Sequence, residues 1–170
     1  LKKKYLEDMI CGEKIGAISI TEAESGSDAL NMKTTAEEKE DCFVLNGSKM
    51  FISNGPIADV FVVYAVTQEE PIRKISAFVV ERSFEGVRTG KDIEKMGLGA
   101  CPTSELILEN VRVPKENVLG QLHSGAVLMT TALEWERFYE FVPHIGVMQR
   151  IMERCIEQAK CRKQFSKAIE

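Results

Sequence analysis

Tryptophan is almost missing from this chain, with Trp135 the single copy, and the only histidines are His123 and His144. Those two lack metal-ligand spacing, which argues against a zinc site. Paired cysteines are missing too. Cys11, Cys42, Cys101, Cys155 and Cys161 are odd in number, scattered and without a C-x-x-C pair, so they read as reduced thiols, mostly buried fillers. Excess positive charge is absent: 22 Lys and Arg face 26 Asp and Glu, a formal net charge of -4. A nucleic-acid partner would call for a basic face, so that class is disfavoured. No apolar run approaches the roughly 20 residues that a membrane-spanning helix needs. No secretory leader opens the chain, and the expected compartment is the cytoplasm or, in a eukaryote, the mitochondrial matrix.

What is present fits a folded domain. The 170 residues are 44% hydrophobic and 28% charged, enough for a sizeable core. The chain starts at Leu1 and stops at Glu170 after a helical stretch, so it is expected to be part of something longer.

Residues 1–12 read as the tail of a helix, with Tyr5, Leu6, Met9 and Ile10 on one face and Gly12 as its stop. The pattern then shortens. Strands are expected over 15–21 and, more weakly, 31–37. Residues 43–45 and 49–53 flank Asn46-Gly47, a strong hairpin signal. Further strands are expected over 60–66, 75–80 and 105–111. Short strands separated by Gly, Asn and Pro predict a β-barrel or sandwich. From 124 to 165 apolar residues recur at helical spacing, among them Leu128, Leu133, Phe138, Phe141, Ile145, Met148, Met152 and Ile156. Pro143 predicts one bent helix or two with a break there, and the helix should expose apolar surface.

Five segments carry recognisable chemistry. The first is Ile18-Ser19-Ile20-Thr21-Glu22-Ala23-Glu24-Ser25-Gly26-Ser27-Asp28. A Thr/Ser/Gly turn after a strand offers N–H groups and hydroxyls to a phosphate, or is an ordinary capped turn. The second is Leu45-Asn46-Gly47-Ser48-Lys49-Met50-Phe51-Ile52-Ser53-Asn54-Gly55. Phe51 and Ser53 there are either a core aromatic beside a solvent serine or a stacking face beside a donor. The others are Lys95-Met96-Gly97-Leu98-Gly99-Ala100-Cys101-Pro102-Thr103 with Val111-Arg112-Val113-Pro114, Leu133-Glu134-Trp135-Glu136-Arg137, and Arg162-Lys163-Gln164-Phe165. Glu136 is either a solvated helix glutamate or a base, and Arg162 either caps its helix or meets an anion.

In this order the five segments resemble the acyl-CoA dehydrogenase family. The first is similar to its T-E-x-x-x-G-S-D signature and the second to its L-N-G-x-K-x-[WF]-I-[TS]-N segment. The resemblance implies a fragment of an α-β-α three-domain flavoenzyme: residues 1–14 end the N-terminal helical domain, 15–121 form the middle β-domain, and 122–170 begin the C-terminal helical domain. It implies FAD, contacted by Ile18, Ser19, Ile20, Thr21, Gly26 and Ser27, by Phe51, Ile52 and Ser53, and across a subunit boundary by Arg162, Gln164 and Phe165. That boundary implies a homo-oligomer, a homotetramer in the family. Ser27, Lys95, Glu134 and Arg137 fall where the family holds the thioester, its pantetheine arm or the CoA portion. Glu136 stands where isovaleryl-CoA dehydrogenase and the long-chain enzyme place the catalytic base. Many other relatives place the base late in the C-terminal domain. The implied reaction removes an α-proton from an acyl thioester and passes hydride from the β-carbon to flavin, with an electron-transfer flavoprotein as the type of acceptor.

Ala23 and Glu24 depart from the family's usual Pro and Gly, and Asn31 from its small residue, so Glu24 must point to solvent to spare a pyrophosphate. Other readings remain open: oxidation of a carrier-protein-bound acyl or aminoacyl group, a flavin monooxygenase, and a non-catalytic binding module.

Overall fold

A computed structural model describes residues 1–169. It divides into two compact units, Leu1–Leu128 and Met129–Glu170. The first holds eight strands: β1 (Gly16–Ser19), β2 (Thr35–Glu38), β3 (Cys42–Ser53), β4 (Val60–Gln68), β5 (Lys74–Glu81), β6 (Val87–Thr89), β7 (Thr103–Pro114) and β8 (Val118–Leu119). Their order is β6-β7-β3-β2-β4-β5-β8, with β1 parallel to β4. Phe43 and Leu45 of β3, Phe61 and Val63 of β4, Phe78 and Val80 of β5, and Leu106 and Leu108 of β7 share one buried cluster. Strands β3 and β5 are not neighbours, yet the Phe43 and Phe78 rings lie 5.1 Å apart. The sheet therefore curls so that its two halves bury a common face. This is the mainly β fold with a following long helix that the sequence implied.

The start of the chain is helical, as its spacing implied, and the helix ends before Gly12 at φ +77°. Lys2–Leu6 form a π-turn leading into α1 (Glu7–Ile10). Tyr5 is buried; Leu6 and Met9, which line the same groove as Tyr5, stay exposed, as does Ile10. The Tyr5 hydroxyl donates to Glu81 Oε1 at 2.7 Å and accepts from Asn117 Nδ2 at 3.0 Å, tying this segment to β5. The cysteines differ from their reading as buried fillers: only Cys42 is buried, Cys101 is half-buried, and Cys11, Cys155 and Cys161 are exposed.

Asn46-Gly47 does not make a hairpin. Strand β3 runs straight through both residues. Its pairing with β7 slips between Leu45 and Gly47, opposite Glu109 and Asn110. Asn46 Oδ1 accepts the Asn110 N–H at 2.7 Å, so the dipeptide stabilises a bulge rather than a reversal. Gly47 has φ +147°, and a Cβ there would stand 2.5 Å from Thr34 Oγ1 and 2.8 Å from Thr34 Cα. A second slip lies between Lys49 and Ile52. Across it the inward-facing positions pass from odd residues (Phe43, Leu45, Lys49) to Ile52.

Between the two slips Lys49 faces the interior, completely buried. Its ammonium donates to Glu22 Oε1 at 2.8 Å and to the Ile20 carbonyl at 3.2 Å. The Glu22 carboxylate also accepts from the backbone N–H of Lys33 and of Thr34 and from the Thr34 hydroxyl. Burial by itself would raise the Glu22 carboxyl, but Lys49, Thr34 and Lys33 together outweigh it and hold the group below its ordinary value. Burial pulls the Lys49 ammonium down, with Glu22 offsetting part of that.

The second unit carries most of α2 (Gly125–Cys161), which is unbroken through Pro143. Trp135, Phe138, Phe141, Ile145, Met148 and Met152 are each more than half exposed along it. The Trp135 and Tyr139 rings stack at 5.8 Å, one turn apart. The helix ends at Cys161, short of the expected Phe165. Strands β9 (Lys163–Gln164) and β10 (Lys167–Ala168) follow as a hairpin, with Phe165 and Ser166 at φ +50° and +65°. Two positive-φ residues make the tight turn that matches strand twist, which apolar spacing does not register. Among the described residues no helix is long and apolar enough to cross a membrane.

Two outcomes follow for stability. Gly47→Ala should lower the urea unfolding free energy by roughly 2–4 kcal/mol, the sum of backbone strain and overpacking against Thr34. Gly97→Ala, where an added Cβ meets nothing within 4 Å, should be nearly silent. The second concerns acid. A carboxyl held low by folding adds stability above its ordinary pKa of 4.5 and loses it as pH falls through the lower folded value. Glu22→Gln should cost about 3–5 kcal/mol at pH 7, since it leaves the Lys49 ammonium without a counter-charge. Urea titrations at neutral and acid pH should also show a smaller pH dependence in that variant.

Candidate functional site

The segment after β1 is fixed at successive atoms. The Ile20 carbonyl accepts from Lys49 Nζ, and the Thr21 carbonyl accepts the Met50 N–H at 2.8 Å. Glu22 and Ser25 exchange backbone hydrogen bonds of 2.9 and 3.3 Å, and Ser25 Oγ donates to the Asp28 carbonyl at 2.7 Å. A compact turn results, with Gly26 and Ser27 exposed at its tip. Glu24 is exposed, as a nearby anion would require. Ser19 is fully buried, and its Oγ has no hydrogen-bond partner. Its side chain thus faces the interior, leaving only backbone for any ligand contact. Ile18 points the other way, into a groove of about 440 Å³ that Tyr5, Met9, Val60 and Val62 also line.

The end of β3 lies against this turn through the Met50–Thr21 bond. Phe51, the next residue, sits in the bulge at φ +58° with 61% of its surface exposed. A positive φ is unfavourable for a bulky side chain, and here it turns an aromatic ring out of the core. Ile52 returns to the interior at 2% exposure, so its side chain is core. Ser53 is exposed and pairs with Thr103. Asn54 donates its N–H to the Pro102 carbonyl at 2.8 Å, which brings the 91–102 loop alongside. In that loop the exposed Lys95 donates to the Cys101 carbonyl at 2.5 Å.

Hydrogen bonds thus tie the turn that carries Gly26 and Ser27, at Thr21, to β3 just before Phe51, and tie Asn54, just after Ser53, to the loop that carries Lys95. Glu134, Glu136 and Arg137 belong to the second unit and are exposed on α2. Glu134 and Arg137 are three residues apart and share a helix face. Arg162, Gln164 and Phe165 belong to the terminal segment; Phe165 is wholly exposed, and Gln164 Nε2 donates to the Lys163 carbonyl at 2.9 Å. Among the described residues no group of three or more His, Cys, Asp or Glu side chains is placed to hold a metal.

Glu22 and Lys49 were missed as a pair, although both stand inside the quoted motifs. The available signal was parity. Lys49 falls on the same strand face as Phe43 and Leu45, and a lysine on an inward face needs a carboxylate.

An exposed ring, a hydroxyl two residues on and a hydrogen-bond-rich turn suit a flat ligand with an anionic end. The family model for the acyl-CoA dehydrogenase middle domain matches residues 17–111. The glutaryl-CoA dehydrogenase of Desulfococcus multivorans is 43% identical over 171 residues, covering 99% of this chain and 44% of that protein. The L-prolyl-[peptidyl-carrier protein] dehydrogenase of a Serratia species is 38% identical, covering 99% and 44%. A solved acyl-CoA dehydrogenase from Bacillus anthracis, complexed with FAD, superposes with a TM-score of 0.90 at 42% identity, covering 99% of this chain and 29% of that one. The chain spans less than half the length of these relatives. With its middle-domain match, its β architecture and its ordered motifs, the chain belongs to the acyl-CoA dehydrogenase family.

Proposed function

We propose that the intact protein is an FAD-dependent dehydrogenase of acyl thioesters. In this reading residues 1–14 close an N-terminal helical domain, 15–121 are the middle domain and 122–170 open a C-terminal helical domain. The observation that carries it is Phe51: an aromatic ring held outward at a strained, positive φ, beside the exposed Ser53 and the Thr21 turn. Strain kept at one exposed aromatic residue suits a planar partner stacking on it.

The residues fit FAD. Phe51 would cover the ring system, Ser53 would offer a hydroxyl to its edge, and Thr21 with the Ile18–Ile20 backbone would border it. Gly26 and Ser27 leave the turn tip open for phosphate, since a Cβ at Gly26 would meet nothing within 4 Å. Arg162, Gln164 and Phe165 reach the cofactor of a neighbouring subunit, which makes the protein a homo-oligomer. Bound FAD supplies the acceptor for the hydride leaving the substrate β-carbon.

The chain's own residues do the rest. The Glu136 carboxylate takes the α-proton. Glu134 and Arg137 orient the thioester arm, while Ser27 and Lys95 hold its pantetheine and CoA portions. An electron-transfer flavoprotein would be the type of electron acceptor in this reading. The carrier-protein relative favours a second substrate reading, an acyl or aminoacyl group tethered to a carrier, which would use the same residues.

Glu136→Gln should keep FAD and ligand yet slow flavin reduction by roughly a thousandfold, within the range for loss of a general base. Arg137→Ala should instead weaken both ligand affinity and stability, and Glu140→Gln should change little. Anaerobic stopped-flow bleaching with a saturating acyl-CoA measures all three. Undiminished bleaching in Glu136→Gln would move the base to another residue.

A further inference from the structure

We propose that the buried Glu22–Lys49 pair is a positioning device: it locks the Ile20–Ser27 turn to the strand that presents Phe51, and so sets the geometry of the cofactor face. The inference rests on the FAD reading and adds residues to it that do not touch the cofactor.

The contacts run in sequence order. Lys49 holds Ile20 and Glu22, Met50 holds Thr21, and Phe51 is then turned outward by the bulge. Consecutive residues of β3 thereby fix three consecutive residues of the turn and aim the ring beside it. Glu22 does a second job. Its one carboxylate, at the start of the 22–34 excursion, binds Lys49 of β3 and the N–H groups of Lys33 and Thr34 at the excursion's end. The loop carrying Gly26 and Ser27 is therefore closed at its neck. Arg73 braces the far side through Asn31 Oδ1 at 3.1 Å and through the Met32 carbonyl.

Stability alone gives weak grounds for such a pair. Well-packed apolar residues of similar volume often serve a buried site as well or better. Apolar side chains would not, however, hold a carbonyl, two amides and a hydroxyl in fixed register. The charges are in the place where geometry is transmitted. A site displaced by about 1 Å from afar is known to lose function on the order of a hundredfold.

The test uses Glu22→Asp in the intact protein. It keeps the counter-charge for Lys49 but shortens the bracket by one methylene, about 1.5 Å. FAD affinity of the apoprotein is read by flavin fluorescence, alongside the visible spectrum of the bound flavin and thermal unfolding without FAD. A core variant, Val63→Ala, supplies the comparison for destabilisation without a positioning change. Glu22→Asp should fold, bind FAD about ten- to a hundredfold more weakly and shift the flavin spectrum. Val63→Ala should lower the unfolding temperature while leaving FAD affinity and spectrum unchanged. If Glu22→Asp does not fold, Thr34→Val gives the reading instead. It removes one donor to Glu22, keeps both amides, and should weaken FAD severalfold. Unaltered affinity and spectrum in the folded variant would overturn the positioning role alone. No FAD uptake by the unaltered protein would overturn the flavin reading and this inference with it.

Discussion

A lysine ammonium inside a β-sheet is costly unless a carboxylate and further acceptors meet it. Lys49 meets that condition through Glu22 and the Ile20 carbonyl, and much of the first unit is arranged around doing so. Glu22 must lie directly after β1, so the chain leaving that strand is drawn against β3. Thr34 must present both its N–H and its hydroxyl to the same carboxylate, so the chain returning to β2 passes close to β3 as well. That approach is why residue 47 has no room for a side chain.

The two register slips of β3 are the geometric counterpart of this pair. The slip at Asn46-Gly47 comes just before Lys49, and the second places Phe51 outside and Ile52 back inside. Without the second slip, strict alternation would put Phe51 on the Lys49 face, within the core. The bulge therefore converts a strand of ordinary alternation into one that has a buried charge and an exposed ring two residues apart. Bulges are often found beside functional sites for this reason: they change where one side chain points without ending the strand.

Family membership and site chemistry rest on different grounds. The middle-domain match and the relatives establish what the chain is built like. One fold carries many chemistries, and the residues of the site select among them. The first unit presents a face suited to a flat, anionic cofactor. Residues that would act on a substrate, Glu134, Glu136 and Arg137, are on α2 in the second unit, along an exposed apolar run. An exposed apolar surface of this length is itself a sign that other protein is meant to cover it.

Much of the architecture was legible in the sequence because it depends on near neighbours. Short apolar runs marked β4 and β5, alternation marked β7, helical spacing marked α2, and the order of the motifs identified the family. Tertiary contacts decided the rest. Asn46-Gly47 is a hairpin signal in isolation, but Asn110 across the sheet turns it into a bulge. Helical periodicity ran on past Cys161, while the backbone there turns through two positive-φ residues. Ser19 is named by its motif, yet its neighbours bury its hydroxyl. Glu22 and Lys49 are 27 residues apart, and each alone reads as a surface charge. Local pattern fixes which residues form a strand or a helix; only the meeting of distant strands determines which of their charges must be neutralised inside.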